Sequence, residues 1–181
     1  MTDYRIRPST PADTEILGKI HAQAWRETYG DIVPADILAT AASVEHRTEI
    51  RKKIFAHSKP DCGHFLIDSD AGEIVGFGDC GPARDVKIYA PGEIYTLYLL
   101  RAAQGRALGG RLLRHMLGYL AAQGFDGAAL EVFAKNDSTI GFYKHLGGRE
   151  IARKDTEMGG VSLPVAVFVW DDLQSFKQEK S

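Results

Sequence analysis

The run EIYTLYLL, Glu93 to Leu100, is followed almost at once by QGRALGGRLL, Gln104 to Leu113. β-Branched and aromatic residues make the first a buried strand. Leu108, Leu112, Leu113, Met116, Leu117 and Leu120 recur at spacings of three and four, which makes the second the opening of a helix with one apolar face. Three glycines and two arginines thus stand where a helix leaves its first N–H groups unpaired and carries partial positive charge. The stretch reads as an anion site or, equally, as a tight strand-to-helix turn with a solvated arginine pair. The helix stops at the glycines of QGFDG, and GAALEVFA is the next strand, so the chain contains a strand-helix-strand crossover.

The rest of the chain surrounds that crossover with hairpins. YRIR, Tyr4 to Arg7, alternates like a short strand, and PSTPAD places a proline in a first helical turn. A helix is expected over about Pro11 to Thr28, burying Ile16, Leu17, Ile20 and Ala24. A second, charged on most sides, is expected over Ser43 to about Ala56. HFLID and IVGFGDC form two strands joined by the turn SDAGE. DSTIGFYKHLGG is a short capped helix with a glycine stop, and VSLPVAVFVW a last strand or hairpin arm. The order β-α-α-β-β-β-α-β-α-β-β is that of a mixed α/β domain and not of a regular doubly wound one.

With 181 residues, 44% hydrophobic and 25% charged, the chain is expected to form one domain, residues 1–181. A net charge of −2 gives no global field for nucleic acid or anionic membrane, so any phosphate recognition must be local. The charged N-terminus and the lack of a long apolar run point to a cytoplasmic protein with no membrane partner. Cys62 and Cys80 form no CxxC pattern, and the six histidines have no metal-ligand spacing, so no metal is expected.

Gln104-Gly105-Arg106-Ala107-Leu108-Gly109 resembles the acetyl-CoA signature of the GNAT superfamily, the Gcn5-related N-acetyltransferases, with Ala107 in place of the usual inner glycine. An alanine is accepted there if the position takes helical backbone angles. The preceding strand, LEVFAKNDSTIGFYKHLGG and IRPSTPADTEILGKIHAQAW are similar to the family in order and spacing, so the resemblance covers nearly the whole chain. It implies a six- to seven-stranded mixed sheet, mostly antiparallel with one splayed parallel pair, flanked by about four helices. It implies acetyl-CoA as co-substrate, its pyrophosphate on the N–H groups from Gly105 to Gly110 and its pantetheine arm against the backbone of Leu97, Tyr98 and Leu99. Arg106 or Arg111 would add charge to the phosphates. Asn136 would hydrogen-bond the pantetheine.

Acetyl transfer to an amine needs a deprotonated amine and a proton for the departing thiolate. An alkylamine with a pKa of about 10.4 is mostly protonated at neutral pH, and a phenol with a pKa of about 10 is a suitable proton donor. The resemblance places Tyr143 as that acid. Glu93 at the strand entrance and Glu131 in ALEVFA compete as base, with Glu93 favoured. His21, Trp25, Tyr29, Tyr95 and Asp79 are candidates for the acceptor pocket. The acceptor is a small-molecule amine or a peptide or protein N-terminus, attacked directly in a ternary complex, with a homodimer left open. The rival readings are a non-catalytic acyl-CoA-binding regulatory domain and a dinucleotide-binding protein, although the G-x-G-x-x-G of the latter and its acidic residue at the end of the next strand are not here in the right form.

Overall fold

The computed structural model describes residues 3–84 and 89–177. Seven strands form one sheet: β1 Tyr4–Pro8, β2 Gly63–Ser69, β3 Ile74–Pro82, β4 Gly92–Leu99, β5 Ala128–Phe133, β6 Arg149–Met158 and β7 Val161–Trp170. Their order across the sheet is β1-β2-β3-β4-β5-β7-β6. Every neighbouring pair is antiparallel except β4 and β5, which run parallel and share only two registered positions, Gly92 with Ala128 and Glu93 with Ala129. Beyond Glu93 the two strands part, and the β5-facing edge of β4 has no strand partner.

Five α-helices flank the sheet among the described residues: α1 Thr14–Tyr29, α2 Ala35–Ala41, α3 Val44–Ala56, α4 Leu108–Ala122 and α5 Asp137–His145. The stripe of α4 is sealed as its spacing requires, with Leu112, Leu113, Met116, Leu117 and Leu120 fully buried. It lies so close to β3 that a Cβ on Gly78 would stand 2.6 Å from the Met116 sulfur. Phe65 and Ile67 of β2 join the core under α4, while Leu66 between them packs with Leu17, Ile20 and Phe77 under α1. That alternation puts α1 and α4 on opposite faces.

Four expectations are corrected. Pro11–Asp13 is a separate 3-10 turn, because Asp13 turns back to accept the Thr10 N–H at 2.8 Å, and α1 proper starts at Thr14. Ile16 is 39% exposed, since α1 aims Leu17, Ile20 and Ala24 at the sheet instead. The helix α2 was not anticipated; it buries no residue and so writes no apolar period into the sequence. Ala107 does not have helical angles: it caps α4 with φ +58° and ψ 7°, the only non-glycine residue at positive φ among those described. No helix among the described residues is long and apolar enough to cross a membrane.

Candidate active site

The gap between β4 and β5 opens a cleft of about 610 Å³, of the size that holds a ligand. Its mouth is the turn into α4. Gly105 at φ +74° and Ala107 at +58° reverse the backbone twice, leaving the N–H groups of Leu108, Gly109 and Gly110 at the helix start. A concavity of backbone donors with the helix dipole behind it suits a pyrophosphate. Leu97, Tyr98, Leu99, Gln104, Gly105, Ala107, Leu108, Gly109, Gly110, Asn136 and Tyr143 all border the cleft. Arg106 does not; its guanidinium donates to the Tyr4 hydroxyl at 3.0 Å. Arg111 donates to the Tyr4 carbonyl at 2.8 Å, so both arginines of the turn are held by β1. Asn136 caps α5, its side chain accepting the Thr139 N–H at 3.3 Å.

Tyr143 comes from α5 and is 6% exposed, its ring wedged against Phe142, Phe168 and Trp170. Burial, with Tyr98 nearby, raises its phenol above the ordinary value, which keeps it protonated and able to donate. The two glutamates differ sharply. Glu93 is buried at 4% exposure, and its carboxylate accepts the Arg84 backbone N–H at 2.9 Å and the Arg84 guanidinium; it does not border the cleft. Glu131 does border it, with a third of its side chain exposed and an ion pair to Lys154 of β6 at 2.6 Å.

On the α1 face the expected acceptor residues separate into two groups. Tyr29 and Tyr95 border the cleft, although the Tyr95 hydroxyl is spent on the Pro82 carbonyl. His21 and Trp25 do not: they lie behind Tyr98, to whose hydroxyl Trp25 Nε1 donates at 2.9 Å. His21 packs on Phe77 and Tyr98 at ring distances of 5.1 and 4.9 Å. Burial, with Arg47 and Arg51 nearby, pushes its pKa down to about 2, so it is neutral and cannot hold a proton for the reaction. Asp79 is buried beneath α3, where Arg51 grips it at 2.9 and 2.7 Å, His64 at 2.8 Å, and Thr96 donates to it. Burial raises that carboxyl, but the Arg51 charge and these donors outweigh it and leave it below the usual carboxylate range.

Sequence reasoning missed Glu27, which borders the cleft and accepts the Arg101 N–H at 2.8 Å, tying the end of α1 to the chain just after β4. Seventy-four residues separate the partners, so no local pattern announces them. The Tyr98 side chain is not plain core: its hydroxyl meets the Tyr29 hydroxyl at 3.4 Å and accepts from the Trp25 indole. No group of residues suited to a metal occurs among those described.

A sheet opened at one parallel pair, with backbone donors at its mouth and a buried phenol at its floor, is the cleft of an acyl-CoA-dependent acyltransferase. The chain belongs to the acetyltransferase (GNAT) family, whose model matches residues 20–147. It is 28% identical over 172 residues to the uncharacterized N-acetyltransferase YuaI of Bacillus subtilis (strain 168), covering 95% of each chain. It is 24% identical over 162 residues to the phosphinothricin N-acetyltransferase of Streptomyces coelicolor, covering 84% of this chain and 89% of that one. The solved structure of yncA from Salmonella typhimurium with its cofactor acetyl-CoA shares the fold, with a TM-score of 0.69 at 16% identity over 99% of this chain and 97% of that one.

Proposed function

We propose that the protein moves an acetyl group from acetyl-CoA to the primary amine of a small molecule or a peptide N-terminus, by direct attack within a ternary complex. The observation that carries this reading is that one cleft is bordered by the α4 turn, by the unpartnered edge of β4, by Tyr143 and by Glu131. The turn holds the pyrophosphate, and the pantetheine arm lies along the backbone of Leu97 to Leu99. The amine enters from the α1 face. Glu131, directly or through water, takes a proton from the ammonium, and the free amine attacks the thioester carbonyl. The tetrahedral intermediate collapses, the C–S bond breaks, Tyr143 donates its proton to the departing thiolate, and the second proton lost by the amine nitrogen, passed directly or through water, restores the phenol.

Glu131 is preferred to Glu93 because Glu93 is enclosed by Arg84, whereas Glu131 borders the space the amine must cross. Asn136 steadies α5 beneath the pantetheine while remaining beside it. The cytoplasmic setting and the single domain over residues 1–181 belong to the same proposal. The test is release of free thiol from acetyl-CoA across a panel of amines. Release with at least one amine supports the reading, and none with any amine, although coenzyme A binds, removes it.

A further inference from the structure

Three polar side chains away from the cleft stand in line. Ser58 lies in the loop between α3 and β2, His64 on β2 and Asp79 on β3, and none of them borders the cleft. Ser58 Oγ is 2.8 Å from His64 Nε2, and His64 Nδ1 is 2.8 Å from Asp79 Oδ1. Asp79, ion-paired with Arg51, is a carboxylate and can only accept, so this bond fixes a proton on His64 Nδ1. In the neutral ring Nε2 then presents a lone pair, and the Ser58 hydroxyl is the donor to it. The other neighbour of that hydroxyl, the Lys59 carbonyl, is farther away at 3.4 Å. A serine donating to a histidine whose far nitrogen donates to a carboxylate is the arrangement of a nucleophile with its general base.

The fold holds this line in place and leaves its outer end open. Asp79 is buried, and its second oxygen is bound by Arg51 at 2.7 Å and by the Thr96 hydroxyl. The His64 ring stands edge-on to Phe55 at 5.6 Å, while Ser58 is exposed. The N–H of Lys59, the residue after the serine, makes no hydrogen bond among the described residues and is free to meet an oxyanion. Arg51 limits the device. It neutralises much of the Asp79 charge, so Asp79 orients the imidazole and keeps its tautomer but does little to stabilise an imidazolium.

We propose that Ser58, with His64 as its base, is a second reactive site, which takes acyl groups from small activated carboxylic esters and passes them to water. Ser58 Oγ attacks the ester carbonyl carbon while its proton passes to His64 Nε2. The C–O bond to the leaving group breaks, and His64 returns the proton to the departing oxygen. Water then attacks the acyl-serine, giving its proton to His64, and the carboxylic acid leaves as the serine hydroxyl is restored. Because Ser58 stands at the surface with little charge behind its base, the substrates are esters whose alcohol departs readily, such as aryl esters. The reaction uses no coenzyme A and is separate from the chemistry of the cleft.

The test treats the full chain, without coenzyme A, with p-nitrophenyl acetate and with an alkyl phosphonofluoridate, on the wild type, Ser58→Ala, His64→Gln and Asp79→Asn. The wild type is expected to take one phosphonyl group, on the peptide that carries Ser58, with release of fluoride. It should also liberate p-nitrophenol about 100-fold faster than Ser58→Ala, the low end for help from a general base. His64→Gln should slow both reactions by a similar factor. In Asp79→Asn the amide can donate to Nδ1 and lets the ring reverse its tautomer, which nitrogen NMR of His64 reads, and labelling should slow with that reversal. Ser58→Ala and His64→Gln decide the matter even if Asp79→Asn, which strands Arg51, fails to fold. A wild type that takes no label at Ser58 overturns the proposal. So does an ester rate unchanged in Ser58→Ala, or labelling as fast in His64→Gln as in the wild type, which marks Ser58 as an ordinary exposed serine. Coenzyme A binding by calorimetry verifies the fold of each variant.

Discussion

The rings of Tyr29 and Phe133 meet edge to face, 5.1 Å between centroids and 90° between planes, across the gap where β4 and β5 part. Tyr29 also stands edge-on to Tyr98 of β4 at 6.3 Å. One side chain from the end of α1 thus spans both lips of the cleft on the acceptor side. Tyr29→Ala should widen the slot, raising kcat/KM for bulky amines relative to compact ones at a stability cost of about 3 kcal/mol. Tyr29→Phe should leave the size preference as it is. Rates across a series of amines of graded bulk check both, and an unchanged preference in Tyr29→Ala denies the ring this role.

The turn into α4 stores strain. An alanine in the left-handed region costs about 1–2 kcal/mol, and glycine does not incur that cost. Ala107→Gly should therefore stabilise the protein by about 1 kcal/mol in urea unfolding, after the entropy a glycine loses on folding. Ala107→Val should destabilise it and weaken coenzyme A binding.

Tyr143→Phe should lower turnover by roughly 10²–10⁴-fold, the range for a lost general acid, with coenzyme A affinity nearly unchanged. Single-turnover rates and calorimetry on the same samples separate the two effects. Activity within a few-fold of wild type would leave solvent as the proton source.

The base is identified by the acidic limb of kcat/KM against pH. Glu131→Gln should abolish that limb, while Glu93→Gln should keep it and lower stability, because Arg84 loses the carboxylate it covers. The reverse pattern assigns the proton to Glu93.

His21 sets a pH dependence of stability. Its folded pKa of about 2 lies below the unfolded 6.5, so the unfolded chain takes up a proton that the folded one refuses. The stabilisation is complete above pH 6.5 and declines as pH falls, by about 1.4 kcal/mol per unit. Between pH 6.5 and 5 this amounts to about 2 kcal/mol. His21→Phe, which keeps an aromatic ring against Phe77 and Tyr98, should flatten that slope.

The side of the cleft built from β4 and α4 was legible because local rules write it. A strand of β-branched and aromatic residues and a leucine stripe each follow from neighbours a few positions apart, and β4 and α4 formed as read. The α1 side was not legible, since it is assembled from residues distant in sequence. Glu27 meets the Arg101 N–H across 74 residues that no short motif links, and Arg47 meets Trp25 only because α1 and α3 pack side by side. Ala107 escaped for a different reason: composition shows that a residue is small, and not which sign of φ the turn demands of it.

The joint at Gly92–Ala128 and Glu93–Ala129 has a mechanical consequence. Two pairs of residues are all the strand pairing that joins a four-stranded block, β1 to β4, to a three-stranded one, β5 to β7. A sheet resists shear through its ladder, so this seam is its line of least stiffness. Acetyl-CoA laid along the free edge of β4, as proposed above, would supply the missing rungs and clamp the two blocks together. Amides at Leu97 and Leu99 should then exchange with solvent deuterium quickly in the free protein and slowly in the loaded one, making the seam a gauge of occupancy that needs no acceptor and no turnover.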